Sequence, residues 1–155
     1  MVHRAAGLMI RPLAASDLPQ ISALIRNTLL VSNLQDYSLE TIRAVMASFS
    51  TEALRDLAHH REMFVCIEDR RLSGVVGLEG GEIYSFFVAP DRQGKGAGRA
   101  LLGFIEHRAR QRGTSRLKVS ASLTAVGFYE HLGYRRTGYD NDGRYGRTVE
   151  LVKTL

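Results

Sequence analysis

The order of strand and helix patterns along the chain predicts an α/β fold in which a single mixed sheet carries helices on both faces. Three consecutive strand patterns form a meander between residues 63 and 88. A glycine-rich loop then joins the last of these strands to an amphipathic helix. The chain has 155 residues, enough for one continuous core but not for two, so we expect a single domain over residues 1–155.

The first part of the chain predicts one strand followed by three helices. The strand covers residues 9–13, and Ser16 is expected to cap the first helix. The apolar residues of that helix recur at the 3.6-residue period: Leu18, Ile21, Leu24, Ile25 and Leu29. Residues 31–37 are predicted to be irregular. Two short helices at residues 39–48 and 51–60 each follow a serine.

The remaining elements complete the sheet. Strands are predicted at residues 63–68, 72–79 and 82–88. The next helix buries a side formed by Leu101, Leu102, Ile105 and Ala109, and stops at Gly113. A strand at 116–121, a helix at 123–132 ending at Gly133, and a hairpin of strands 134–139 and 144–152 around a turn at 140–143 follow.

Composition places the chain among ordinary globular proteins, with 45% hydrophobic and 24% charged residues. No apolar run approaches about 18 residues and the start lacks the apolar segment of a signal peptide, so we expect a cytoplasmic protein with no membrane partner. The single cysteine, Cys66, falls in a predicted buried strand and suits core packing better than nucleophilic chemistry. His59 and His60 are adjacent on a helix and point to different sides, so we expect no metal.

The net charge of +5 raises the alternative of a basic nucleic-acid-binding module. Several of the basic residues have local explanations, because Arg108, Arg110 and Arg112 lie where a helix ends and cations complement the helix dipole there. The sequence also lacks the interleaved aromatic residues of an RNA-binding motif. We therefore expect no specific nucleic-acid partner.

The segment from Val88 to Leu102 has the pattern of a phosphate-binding junction. Gly94, Gly96 and Gly98 allow positive φ angles and close backbone approach, so that successive N–H groups can converge on one anion. The helix that follows adds unpaired N–H groups and the positive end of its dipole. Four side chains add donors or charge, namely Arg92, Gln93, Lys95 and Arg99. The spacing matches neither the dinucleotide fingerprint nor the nucleoside-triphosphate loop.

Two motifs give the sequence a resemblance to a known family. The pattern Gln93-x-x-Gly96-x-Gly98 resembles the pyrophosphate-binding motif of the GNAT superfamily of acyl-CoA N-acyltransferases. The stretch from Ser122 to Tyr134 looks like the late helix of that family, where Phe-Tyr is followed by Leu-Gly and an aromatic residue. One departure is Ser122, where the family often has asparagine. The resemblance implies a mostly antiparallel mixed sheet with splayed central strands.

The resemblance also implies acetyl-CoA as cosubstrate and a set of residues that bind it. The backbone N–H groups near Phe87 and Val88, at the splay of the sheet, are expected to polarise the acyl carbonyl. The complete set of expected cofactor-binding residues is Phe87, Val88, Gln93, Gly94, Lys95, Gly96, Ala97, Gly98, Arg99, Ser122 and Phe128.

Two residues are candidates for catalysis. Tyr129 is expected to donate a hydrogen bond to the departing thiolate, although Phe128 and Tyr129 would without the motif be read as core aromatics. Glu82 stands where histone-acetylating members of the superfamily carry a catalytic glutamate, and would accept the amine proton. The alternative for Glu82 is an exposed strand start, with Tyr84 orienting the acceptor or a water molecule instead.

The sequence therefore predicts an N-acetyltransferase that transfers an acetyl group from acetyl-CoA to a primary amine by direct attack. The acceptor is expected to be a small molecule or a peptide. The resemblance places Asn33, Gln35, Asp36 and Tyr37 on the acceptor side. A noncatalytic acyl-CoA sensor with the same fold is the main alternative, and a homodimer is left open.

Overall fold

The computed structural model describes residues 2–142 and 146–155, and the side chain of Asp142 is outside this description. Eight strands form a single sheet in the order β1-β2-β3-β4-β5-β6-β8-β7, so the predicted mixed sheet is confirmed. The strands are β1 (His3–Ala5), β2 (Leu8–Pro12), β3 (Glu62–Glu68), β4 (Arg71–Glu79), β5 (Glu82–Val88), β6 (Arg116–Ser122), β7 (Arg135–Asp142) and β8 (Gly146–Thr154).

Helices cover both faces of this sheet. They are α1 (Leu18–Val31), α2 (Leu39–Ala47), α3 (Thr51–Leu57), α4 (Ala97–Gln111) and α5 (Val126–His131). One hydrophobic cluster joins α1, α2 and α3 to the sheet, and a second joins α4 and α5 to its other side. Successive side chains of β3 point to opposite faces of the sheet, so Met63 and Val65 belong to the first cluster and Phe64 and Cys66 to the second.

Local sequence signals explain most helix boundaries. Ser38 and Ser50 cap α2 and α3, because each hydroxyl oxygen accepts a hydrogen bond from the backbone N–H three residues later, at 3.1 Å. Helix α4 ends at a left-handed Gly113 and α5 at a left-handed Gly133, as predicted. The predicted cap at Ser16 is wrong, because Ser16 lies inside a short 3₁₀ turn and the carboxylate of Asp17 accepts from Ala14 N–H instead.

The chain differs from the sequence-based expectation at three further places. A short strand, β1, precedes the predicted first strand and pairs with it through a turn at Ala6 and Gly7, both of positive φ. Helix α5 is shorter than predicted, because residues 123–125 form a turn. Asp140 and Asn141 lie in β7 and pair with β8 rather than forming the hairpin turn. Residues 143–145, at the centre of that predicted hairpin, lie outside the described residues.

The sheet opens between β5 and β6. These strands pair in parallel at Glu82–Lys118 and at Ile83–Val119, and no later pairing joins their described residues. A register shift in the pairing of β4 with β5 falls at Ser85, whose φ is +51°. Beyond Ile83, β5 stays with β4 while β6 stays with β8 as far as Ser122. The splayed central strands are thereby confirmed, and the gap exposes the backbone edge of β5.

A partly buried ion pair ties α4 to the end of α5. Lys153 Nζ donates to both oxygens of Glu106, at 3.0 and 3.1 Å, and to the carbonyl oxygen of Leu132 at 2.9 Å. Glu106 is only 7% exposed. The carbonyl at Leu132 belongs to the C-terminal turn of α5, so this lysine holds in place the helix that carries Tyr129. No described helix is both long and apolar enough to cross a lipid bilayer.

Replacement of Lys153 by methionine is expected to lower the free energy of unfolding by about 2–4 kcal/mol, because the Glu106 carboxylate and the Leu132 carbonyl lose their donor. Urea unfolding measures the loss. The control is Lys118→Met, since Lys118 and Glu150 form a more exposed pair at 3.6 Å, for which we expect a loss of about 1 kcal/mol or less. Equal losses in the two variants would contradict the structural role of Lys153.

Candidate active site

The glycine loop and the start of α4 form an anion-binding geometry. Gly94 and Gly96 have φ angles of +74° and +97°, and no atom lies within 4 Å of where their Cβ atoms would stand. Gly96 is the residue before the first turn of α4, which begins at Ala97. The N–H groups of residues 97–99 precede the first hydrogen bond of the helix, in which Ala100 N–H donates to the Gly96 carbonyl at 3.0 Å. Their unpaired donors and the helix dipole favour a negatively charged group at this end.

Two of the side chains expected to supply charge or donors at the loop have other partners. Gln93 Nε2 donates to the Val88 carbonyl at 3.0 Å and to Ser32 Oγ at 3.3 Å, so both of its amide hydrogens are used. Arg92 Nη1 lies 3.2 Å from a carboxylate oxygen of Asp69 and 3.8 Å from one of Glu68. Gln93 therefore fixes the loop to β5 and to the end of α1.

A first cavity of about 620 Å³ lies between this loop, β5, the end of α1 and α5. Ten of the residues predicted to bind cofactor or to act on it line its wall: Phe87, Val88, Gln93, Gly94, Gly96, Gly98, Arg99, Ser122, Phe128 and Tyr129. The two other predicted cofactor-binding residues are not in the wall, because Lys95 is exposed on the loop and Ala97 is buried beneath it. The structure thus brings both sequence motifs to one cavity.

Close packing explains why Gly98 has no side chain. A Cβ at this position would lie 3.3 Å from two ring carbons of Phe128 and 3.5 Å from a methyl carbon of Val88. The α4 backbone therefore approaches the aromatic residue of α5 across the floor of the first cavity. Phe128 packs edge-on against Phe86 as well, with ring centroids 5.7 Å apart.

The backbone of Val88 faces the gap between β5 and β6. Ala89 N–H donates to the Ser73 carbonyl at 2.8 Å, and hydrogen-bonded pairs alternate along an antiparallel ladder. Phe87, two residues earlier and opposite Val75, therefore turns its amide towards β4, whereas Val88 turns its amide away from β4. Of the two backbone N–H groups predicted to polarise the acyl carbonyl, only that of Val88 faces the gap. Phe87 still lines the cavity.

Tyr129 lies on α5 at the inner end of the first cavity. Its side chain is 4% exposed and packs edge-on against Phe86, Phe128 and Tyr134, with ring centroids 6.0, 5.3 and 5.5 Å away. Burial raises the pKa of the Tyr129 phenol above its usual value, so the hydroxyl stays protonated at neutral pH. Among the described residues this hydroxyl has no hydrogen-bond partner, which leaves its proton available to a group in the cavity.

A second cavity of about 560 Å³ meets the first at Tyr129. The two cavities share Asn33, Phe86, Phe87, Ser122, Ala125 and Tyr129 in their walls. The second one extends along β5 and β6 towards α2 and α3, and its walls are largely apolar. Tyr129 therefore forms part of the wall of both cavities.

Glu82 lies beside the second cavity and is linked to it through Tyr84. Tyr84 lines the cavity and donates its hydroxyl hydrogen to Glu82 Oε2 at 2.8 Å, while Glu82 itself lines neither cavity. Burial, followed by the hydrogen bond to Glu82, raises the pKa of Tyr84 to about 12. Tyr84 is accordingly neutral and a hydrogen-bond donor at physiological pH. The Glu82 carboxylate is connected to the cavity through the hydrogen bond from the Tyr84 hydroxyl.

Residues 33–37 are the segment predicted to lie on the acceptor side. The segment contributes to both cavities, but only some of its residues line a wall. Asn33 is buried and lines both. Tyr37 lines the second cavity, and its hydroxyl donates to the Arg147 carbonyl at 2.6 Å and accepts from Leu123 N–H at 2.8 Å. Asp36 accepts a hydrogen bond from Thr124 at 2.7 Å, and neither Asp36 nor Gln35 lines one of the two cavities.

Several wall residues were not singled out from the sequence. Thr28 and Ser32 at the end of α1, and Thr124 and His131 around α5, line the first cavity, whereas Arg61 and Ser120 line the second. A serine, a threonine or a surface arginine in a helix or strand carries no local signal for a site. Among the described residues, no cluster of three or more histidine, cysteine or acidic side chains could hold a metal ion.

Comparison with known proteins gives a consistent result. A family model described as an acetyltransferase (GNAT) domain matches residues 33–155. A GCN5-related N-acetyltransferase from Rhodopseudomonas palustris is similar over 99% of both chains, with a TM-score of 0.91 and 23% identity. The PaiA N-acetyltransferase from Thermoplasma acidophilum, solved with coenzyme A, has a TM-score of 0.80 and 21% identity over 97% of this chain and 100% of that one.

A third similar structure is the N-acetylglutamate synthase from Neisseria gonorrhoeae, solved with coenzyme A and N-acetylglutamate. Its TM-score is 0.74 and its identity 25%, over 98% of this chain and 36% of the synthase. Two of the three similar proteins were therefore solved with coenzyme A bound.

Gly96→Asp is expected to abolish coenzyme A binding, since it places a carboxylate and extra bulk where the backbone N–H groups converge. Isothermal calorimetry measures the affinity, and thermal unfolding checks the fold. The control is Gly103→Asp on an exposed turn of α4 with open space around it, which should bind coenzyme A like the wild type. A folded Gly96→Asp protein with undiminished affinity would place the pyrophosphate elsewhere.

Proposed function

Because the chain belongs to the GNAT family of acyl-CoA-dependent acetyltransferases, we propose that it transfers an acetyl group from acetyl-CoA to a primary amine by direct attack. The main support for the proposal is that two cavities share Tyr129 in their walls, at the gap between β5 and β6. Two reactants that enter from opposite sides would meet there without a covalent enzyme intermediate. Direct attack within such a complex gains its rate from proximity and orientation.

The residues of the first cavity fit the cofactor. The N–H groups of the glycine loop and the first turn of α4 bind the pyrophosphate, and the exposed Arg99 adds a positive charge beside it. The free edge of β5 pairs with the amides of the pantetheine arm as an added strand would. Ser122 offers a hydroxyl where many relatives have an amide. Acetyl-CoA supplies the activated thioester.

Val88 N–H is the donor for the acyl carbonyl. Its direction is fixed by the pairing of β5 with β4, so no reorganisation is needed when negative charge develops on the oxygen. The neighbouring aromatic side chains, Phe86, Phe87 and Phe128, exclude water from this position and so strengthen the interaction.

Tyr129 stabilises the departing thiolate. A phenol whose pKa is raised by burial is a weaker acid than an ordinary thiol of pKa about 8.5, so Tyr129 acts as a hydrogen-bond donor and complete proton transfer is not required. The donor is fixed by the packing of three rings around it. Its contribution therefore arises mainly in the transition state.

Glu82 is the proposed acceptor of the amine proton. An alkylamine with a pKa of about 10.4 is mostly protonated at neutral pH and must lose a proton before attack. Because Glu82 lies behind Tyr84, the proton reaches its carboxylate through a water molecule in the second cavity or along the Tyr84 hydroxyl. Tyr84 in that arrangement orients the water and stays neutral.

Tyr129→Phe is expected to lower kcat by about tenfold to a thousandfold, with a smaller effect on acetyl-CoA affinity, because one oxygen is lost and the ring packing is kept. Thiol release in the presence of a panel of amines measures turnover. Tyr139→Phe, at an exposed position on β7, is the matched control and should leave kcat unchanged. Wild-type kcat in Tyr129→Phe would make Tyr129 a packing residue only.

Glu82→Gln is expected to lower turnover by about a hundredfold while coenzyme A affinity is retained. The deficit should be largest at low pH, where the free amine is scarcest. Tyr84→Phe separates the two routes. It should lower turnover nearly as much as Glu82→Gln if the proton passes along the tyrosine hydroxyl, and only slightly if a water molecule reaches Glu82 directly. Wild-type turnover of Glu82→Gln across the pH range would contradict the assignment.

A further inference from the structure

The second cavity contains one feature that the proposed chemistry does not use, the guanidinium of Arg61. The cavity walls are largely apolar, with side chains from α1, α2, α3 and both central strands, among them Leu29, Ile42, Val45, Phe49 and Leu57. Such walls favour an apolar ligand body. Arg61, between α3 and β3, brings a guanidinium into these surroundings; its side chain is 18% exposed, and it forms an ion pair at 3.4 Å with the more exposed Glu79.

The position of Arg61 is fixed by contacts on three sides. Its guanidinium carbon stacks 4.1 Å from the ring centroid of Tyr84. Nη1 donates to Ser85 Oγ at 2.8 Å, and Nε lies 3.4 Å from Glu79 Oε2. Ser85 is the residue of positive φ at the register shift of β5, so the feature that opens the sheet also directs this hydroxyl to the arginine.

The guanidinium retains unused N–H donors. An arginine has five N–H donors, and Nη2 makes no hydrogen bond with a described residue. Two carboxylates contact the Arg61–Tyr84 pair: Glu79 is paired with Arg61 on the Nε side, and Glu82 accepts from Tyr84. Nη2 and the second hydrogen of Nη1 therefore remain as charged donors that can bind a carboxylate.

Distance along β5 sets the length of the ligand. Ser85 and Val88 are three residues apart, which corresponds to at most about 10 Å of extended strand, and the positive φ at Ser85 shortens this span. In an α-amino acid the amine nitrogen lies only about 2.5 Å from the carboxylate carbon. A molecule whose amine reacts beside Val88 and Tyr129 reaches Arg61 only if a longer spacer joins the two groups.

We propose that the acceptor amine carries a carboxylate at the far end of an apolar spacer, and that Arg61 binds this carboxylate. The inference rests on the proposed transfer to a primary amine and adds the substrate class. In this arrangement Arg61 determines specificity and takes no part in the bond changes. Acceptors with a second cationic group, such as polyamines, place that group against the guanidinium and are disfavoured.

Three acceptors of equal chain length test the proposal: 6-aminohexanoic acid, its carboxamide, and 1,6-diaminohexane. They differ only in a distal group that is anionic, neutral or cationic. Thiol release from acetyl-CoA should give a kcat/KM for the acid about tenfold to a hundredfold above that of the carboxamide, with the diamine lowest. Glycine, which lacks the spacer, should be a poor acceptor.

Arg61→Gln should reduce the ratio of the acid to the carboxamide to about one, mainly through a higher KM for the acid, because uniform binding is lost. Arg61→Lys keeps the charge and should retain part of the preference, even if the loss of stacking lowers stability. Arg55→Gln, at an exposed position of α3, is the matched control and should leave the ratio unchanged.

The outcomes separate the two proposals. A wild-type protein that acetylates the diamine or the carboxamide as well as the acid would overturn the role of Arg61 and leave the transfer to amines standing. An Arg61→Gln protein with the wild-type ratio would do the same. A protein that binds coenzyme A yet acetylates neither these acceptors nor any amine of the wider panel would contradict the proposed function and the inference together.

Discussion

The site depends on one constraint, which is that β5 cannot pair with both of its neighbours along its whole length. Two parallel positions join it to β6, and then the register shift at Ser85 keeps β5 on β4 while β6 continues with β8. Each of the two strands stays hydrogen-bonded to its other neighbour, so the sheet loses few backbone hydrogen bonds at the gap. The Val88 amide that faces the gap, however, lacks a sheet partner, and a ligand with its own amide groups can satisfy it.

Everything else in the site is arranged around that gap. The glycine loop continues directly from the end of β5, and α4 starts within ten residues of Val88. Helix α5 lies across the opening and presents Tyr129 to both cavities, with Lys153 and a left-handed Gly133 fixing its end. Two separate hydrophobic clusters hold the two faces of the sheet, so the gap has rigid walls on either side. Rigid walls favour the fixed donor geometry that acyl transfer requires.

Sequence patterns were sufficient for the elements whose signals are local. The apolar period, the serine caps and the glycines that end α4 and α5 predicted most of the helix boundaries, and the resemblance predicted ten of the residues that line the first cavity. The sequence did not reveal that Gln93 is bonded to Ser32, that Arg92 pairs with Asp69, or that Arg61 stacks on Tyr84. Those contacts join residues 20 or more positions apart, and no pattern within a single element encodes them. The short β1 was missed, and residues 123–125 were assigned to α5 although they form a turn, for a related reason: three-residue segments carry too few side chains to show a period.

The second cavity could not be predicted from the sequence for the same reason. Its walls come from seven helices and strands and from the loops between them, and none of the contributing segments has a composition that marks it as a binding surface. The proposed chemistry requires a cofactor in the gap between β5 and β6. A crystal structure of the protein with coenzyme A tests this directly. We expect the pyrophosphate on the N–H groups of residues 94–99, the pantetheine arm along the free edge of β5, and the sulfur within hydrogen-bonding distance of the Tyr129 hydroxyl. Coenzyme A bound at another surface, with the gap left empty or closed by pairing of β5 with β6, would contradict it.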